Sequence, residues 1–113
     1  MTYTNAVARA RSAAAVESIS YQPVQAFCRE HQCQSELNDV VRIAAECFDA
    51  ATINLSPRAD PETREDWIEI AVDARGSVQD LMNAEHRFTL RLRKEVSSQM
   101  RDHVRLYLTS VAD

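Results

Sequence analysis

Glycine is almost missing from this chain: Gly76 is the only one among 113 residues. A phosphate-cradling loop, a dinucleotide fingerprint and a nucleophile elbow each need glycines at fixed offsets, so none of them can be written here. Lysine is nearly missing too, since twelve of the thirteen basic residues are Arg and Lys94 stands alone. Aromatic side chains make up 6% of the chain and include one tryptophan, Trp67. No apolar run approaches the ~18 residues of a membrane span. The three cysteines, Cys28, Cys33 and Cys47, form an odd set with no secretory signal ahead of them. They read as reduced thiols in a cytoplasmic protein.

What is present fits one ordinary globular domain, 45% hydrophobic and 27% charged. The net charge of −4 is unevenly spread. Residues 60–80 hold seven acids and two bases, a net of −5, whereas residues 81–113 hold four acids and six bases, a net of +2. An acidic middle is a poor footprint for nucleic acid, which calls for a basic stripe. Residues 5–18 are alanine-rich with high helix propensity but a weak apolar stripe. Residues 1–20 are therefore read as an N-terminal helix or arm, and residues 21–113 as a single α+β domain.

Pro23 suits the first turn of a helix, and Val24, Phe27, Cys28 and His31 follow at i, i+3, i+4 and i+7. Ser35 is placed to cap a second helix. Leu37, Val40, Val41, Ala44, Cys47, Phe48 and Ala51 make the apolar stripe of that helix. The period then changes from 3.6 to 2. Thr52–Ser56 and Trp67–Asp73 alternate around a proline-bearing polar turn over residues 57–65, which predicts an antiparallel hairpin. Ser77 and Asp80 resemble a capping pair for a long helix over about residues 78–96, with Val78, Leu81, Met82, Phe88, Leu92 and Val96 on one face. Val104, Leu106 and Leu108 alternate, although Met100, Val104, Tyr107, Leu108 and Val111 also fit a helix. A strand at about 104–110 is preferred, because strand, helix and strand in series make a right-handed crossover.

The expected fold is therefore α+β. N-terminal helices are followed by a β-β-α-β unit, giving a three-stranded sheet with helices on one face. The other face would carry Thr52, Asn54, Ser56, Trp67, Glu69, Ala71, Asp73, Arg105, Tyr107 and Thr109. Trp67, Tyr107, Asn54 and Glu69 are the candidate binding residues there, since interfaces are enriched in Trp and Tyr. The same aromatics could instead lie beneath residues 1–20.

Other constellations carry less. Cys28, His31 and Cys33, with a fourth ligand from Cys47, His86 or His103, contain zinc's preferred donors but not its usual spacings. Two buried thiols and a histidine at a helix end are the preferred reading, with no metal and no cofactor. Glu85 counts into the stripe of the long helix, where an unpaired carboxylate would have a raised pKa. A small enzyme centred on Glu85 and His86 is accordingly the alternative to a binding module. The acids Asp60, Glu62, Glu65 and Asp66 lack a calcium-loop pattern and read as a solvated turn. Arg87, Arg91, Arg93 and Lys94 read as a solvated helix face, and the third class, a nucleic-acid-binding domain, fails mainly on charge.

The run Ile53 to Leu55, Asp60-Pro61-Glu62, Trp67-Ile68-Glu69-Ile70, Gly76, the long helix and Arg105-Leu106-Tyr107 resembles a group of small uncharacterised bacterial proteins. These have an Asp-Pro-Glu turn before a tryptophan-containing strand. The resemblance covers about residues 35–110 and implies no catalytic residue. Some of those proteins look like members of two-gene modules, which implies a partner-binding role. Residues and resemblance together lead to one expectation: a small protein-binding or regulatory module acting through the exposed sheet face or edge, with a protein partner or a second copy as a homodimer.

Overall fold

The two periodicities of the sequence become seven elements in the computed structural model, which describes residues 21–111. They are α1 (Gln22–His31), α2 (Gln34–Cys47), β1 (Ala50–Ala59), β2 (Asp66–Ala74), α3 (Val78–Glu95), α4 (Ser98–Asp102) and β3 (Val104–Ser110). The sheet order is β1-β2-β3. The expected α+β fold is what forms, with α4 as an additional short helix before the last strand. The expected helix or arm at residues 1–20 lies outside the described residues.

Pro23 sits in the first turn of α1, where its missing N–H costs nothing. Gln32 then adopts a left-handed conformation, φ 53°, and reverses the chain. This turn is so short that α2 begins at Gln34, one residue before the expected cap. Cys33 occupies the N-cap without a side-chain hydrogen bond, and Ser35 lies exposed inside the first turn. The apolar stripe of α2 also ends earlier than expected. The helix stops at Cys47, Phe48 is already extended, and Ala51 is an exposed residue of β1.

β1 runs further than its alternation suggested and includes Pro57. An edge strand tolerates this. Ile68 N–H donates to the His103 carbonyl on the β3 side, so the odd-numbered residues of β2 turn their backbone groups towards β1. Trp67 and Glu69 thus bond Arg58 and Ser56, and the nitrogen of Pro57 points away from β2. The tight turn is Asp60–Glu65. The Asp60 carboxylate accepts the Glu62 N–H at 2.8 Å, and its own N–H donates to the Glu65 carbonyl.

β2 pairs antiparallel with β1 and parallel with β3, so α3 is the crossover that a parallel pair requires. Ile53, Leu55, Ile68, Ile70, Val72 and Ala74 face the helices and are 0–4% exposed. On the helical side they meet Val24, Phe27, Leu37, Val40, Ile43, Ala44 and Phe88. Phe48 and Phe88 pack with ring centroids 5.6 Å apart. Along the seam of α2 and α3, Arg91 bonds Glu46 at 2.7 Å and Glu95 at 2.8 Å, and Arg42 reaches both carboxylates at 3.4 Å. These pairs are partly exposed, so they orient the two helices more than they stabilise them.

The predicted cap of α3 forms. Ser77 Oγ accepts the Asp80 N–H and the Asp80 carboxylate accepts the Ser77 N–H, both at 3.1 Å. The buried row of α3 is Leu81, Ala84, Phe88 and Leu92. Against expectation Val78 and Met82 lie outside it, 71% and 58% exposed. The helix packs mainly against α2, and a narrow row suffices to cover that contact. Gly76 precedes the cap at φ +131°.

Gly76→Ala should lower stability by about 1–3 kcal/mol, since φ there suits only glycine. The added methyl would also come within 3.1 Å of Asp80 Cβ. Equilibrium unfolding in urea with unchanged m-value checks this. Acid should loosen the fold at two defined places. Hydrogen bonding from Ser77 holds Asp80 below its ordinary value of 3.8, and bonding from Arg91 holds Glu95 below 4.5. A depressed folded pKa stabilises fully above the ordinary value and is lost as pH falls through the folded one. The native chain should therefore lose melting temperature as pH drops below that range, and Asp80→Asn should show a shallower loss in melts recorded across it.

Candidate functional site

The strand registers set the expected binding residues in rows across the sheet face that no described helix covers. Asn54, Ala71 and Tyr107 form one row, Ser56, Glu69 and Arg105 the next, and Arg58 with Trp67 a third. Trp67 and Tyr107 are thus separated by the Glu69–Arg105 row and do not make one aromatic platform. Tyr107 is 63% exposed, while Trp67 is half-buried. The guanidinium of Arg105 lies 3.7 Å over the Trp67 ring, covering part of its π face. Glu69 accepts a hydrogen bond from Arg58 at 3.2 Å, and Asp73 accepts one from Thr52 at 2.7 Å. The face is polar, and its charged groups Arg58, Glu69, Asp73 and Arg105 are engaged within it.

The inner face differs at its third strand. Val104, Leu106 and Leu108 point to the helical side with Ile68, Ile70 and Val72, yet they are only half-buried. Their backbone groups are directed by the ladder. His103 and Val111 bond β2, so Val104, Leu106, Leu108 and Ser110 turn their N–H and C=O groups to the opposite edge. Among the described residues no strand pairs with that edge.

The residues considered for acid–base chemistry are not assembled. Glu85 and His86 are both exposed on α3. Glu85 misses the buried row because Ala84 takes the inward position. The low-dielectric setting that the enzyme reading needs is absent there. A groove of about 480 Å³ runs along Cys47, Asp49, Arg75, Gly76, Asp80 and Arg87, without either of them. Charges of both signs line it.

The cysteines and histidines separate into two groups. Cys28 and Cys33 are buried against each other, and burial pushes the Cys33 thiol up to about 12 and raises Cys28 as well. Both are protonated at neutral pH, so neither stands ready as a thiolate nucleophile. His31, which the spacing had associated with them, turns elsewhere. It closes α1 and its Nε2 lies 2.9 Å from Asp66 Oδ2 at the start of β2. His103, between α4 and β3, stacks against it with ring centroids 4.5 Å apart. One nitrogen from each imidazole and one Asp66 oxygen all lie within 4.8 Å of one another. Phe27 forms the floor, 4.3 Å from the His31 ring and 6.1 Å from that of His103. Two residues of this cluster, His31 and His103, belonged to the candidate zinc set, and Asp66 to the acidic turn. Nothing in their spacing joined the two groups.

Comparisons of the chain with protein-family models, curated proteins and solved structures find no match. Among the described residues no helix is long and apolar enough to cross a membrane.

Thiol reactivity should follow burial. A thiol-specific chromogenic reagent should modify half-buried Cys47 first, while Cys28 and Cys33 respond only when denaturant opens the core. Mass mapping of the first modified site checks this, and early labelling of Cys33 would contradict it.

Proposed function

We propose that the protein is a small protein-binding module that associates with a second copy of itself through the free edge of β3. The observation that carries this reading is a coincidence on one strand. Val104, Leu106 and Leu108 are half-buried apolar side chains, and the same residues turn outward backbone groups that no described strand pairs with. Native sheets usually blunt such an edge with lysine, proline, a bulge or an inward-pointing charge. β3 carries none of these between Val104 and Ser110.

The strand is also self-complementary about its middle residue. An antiparallel pairing centred on Tyr107 sets Leu106 opposite the second copy's Leu108 and Val104 opposite its Ser110, in the positions that exchange hydrogen bonds. Tyr107 meets its symmetry mate on the open face, and Arg105 faces Thr109, so no like charges oppose each other. The sheet would double in width, and the half-buried leucines would be covered. Trp67, Glu69 and Asn54 would remain on a continuous polar face available to a further protein partner.

Light scattering on the full chain should return twice the 12.8 kDa chain mass. Tyr107→Lys sets two ammonium groups together at the axis, and Leu106→Pro removes an N–H that β2 does not use. Each should yield folded monomers by circular dichroism. Asn54→Lys, on the face away from the edge, should leave the dimer intact. A native chain that stays monomeric at every concentration would overturn the proposal, as would a dimer that Asn54→Lys abolishes and Leu106→Pro does not.

A further inference from the structure

We propose that His31, Asp66 and His103 form a binding site for a divalent transition metal of the zinc class. The three come from separate elements: the end of α1, the start of β2 and the turn before β3. Their convergence owes nothing to local sequence. Two imidazoles and one carboxylate are a recurrent donor set for such ions, with three protein ligands and a remaining position for water or substrate.

The second coordination sphere is in place. His103 Nδ1 lies 2.8 Å from the Gln99 carbonyl, an oxygen that can only accept, so Nδ1 carries the proton and Nε2 keeps its lone pair. The His31–Asp66 contact of 2.9 Å has the length of a hydrogen bond. With metal–ligand bonds of about 2.0–2.2 Å, two ligand atoms stand roughly 3.3 Å or more apart. The ion therefore takes the place of the proton between Nε2 and Asp66, with the His31 proton moving to Nδ1. Only a small opening of that pair is needed, and partly exposed side chains permit it: His31 is 21% and Asp66 30% exposed. His31 also stands at the carboxyl end of α1, where the free carbonyls favour a cation. Phe27 beneath the rings limits water on one side.

Untagged full-length chain, freed of metal by chelation, is titrated with Zn²⁺ by calorimetry. One ion per chain is expected, with a rise in melting temperature that excess chelator reverses. His103→Gln and Asp66→Asn should each weaken binding by more than about tenfold, a loss that even outer-shell substitutions reach. Cys33→Ser and His86→Gln should bind like the native chain. Should a ligand variant fail to fold, proton–nitrogen spectra of the native chain decide, since Zn²⁺ should shift the ring resonances of His31 and His103 together. Absence of saturable binding overturns the site. So does binding that survives His103→Gln, or zinc-induced shifts confined to His86.

Discussion

β2 is the strand on which the fold depends. Its inner row, Ile68, Ile70, Val72 and Ala74, is 0–1% exposed, and both of its edges are hydrogen-bonded. An antiparallel neighbour can be reached by a short turn, and Asp60–Glu65 provides one. A parallel neighbour cannot. The demand for a parallel β3 forces the chain across the helical layer, and α3 meets that demand with a capped N-terminus and one narrow buried row. Gly76 stands at the point where β2 gives way to that crossover, with a φ that other residues rarely adopt. The chain spends its single glycine there.

The two-residue period of Trp67–Asp73 and of Val104–Leu108 was legible because each strand has one covered face, which leaves a mark on every second residue. The capping pair Ser77 and Asp80 was legible because it is local. Glu85 was misplaced for a geometric reason. Counting at 100° per residue cannot tell which part of a broad apolar stripe the neighbouring helix will occupy, and Ala84 took the inward place. Ser35 failed as a cap because Gln32 accepted a left-handed conformation without glycine, starting α2 earlier than the turn chemistry suggested. The cluster of His31, Asp66 and His103 left no mark on the sequence. His31 and Asp66 are 35 positions apart, and only the parallel register of β2 and β3 brings His103 beside them.

Burial sorts the reactive side chains. Cys28 and Cys33 contribute to the core as small apolar groups, and desolvation keeps them protonated. The imidazoles of His31 and His103 remain at the rim, where a lone pair can be used. A sequence reader sees Cys28, His31 and Cys33 as one constellation, but α1 turns the Cys28 thiol inward with Val24 and Phe27 and Cys33 is buried at the N-cap of α2, while the ring of His31 reaches across to β2.

The same sorting distinguishes the two surfaces of the sheet. On the open face most polar groups already have partners: Thr52 with Asp73, Arg58 with Glu69, Arg105 over Trp67. Such a face is content in water, and a partner that settled on it would have to displace bonds that already exist. The edge of β3 is different. Among the described residues nothing pairs with its outward amides, and the leucines beside them are only partly covered by the helical layer. Pairing there would replace water with backbone hydrogen bonds and remove apolar surface in one event, without breaking any bond among the described residues. In the proposed pairing the drive for association lies at the strand edge, where Tyr107 is the central residue of β3 and Trp67, on β2, stands apart from it.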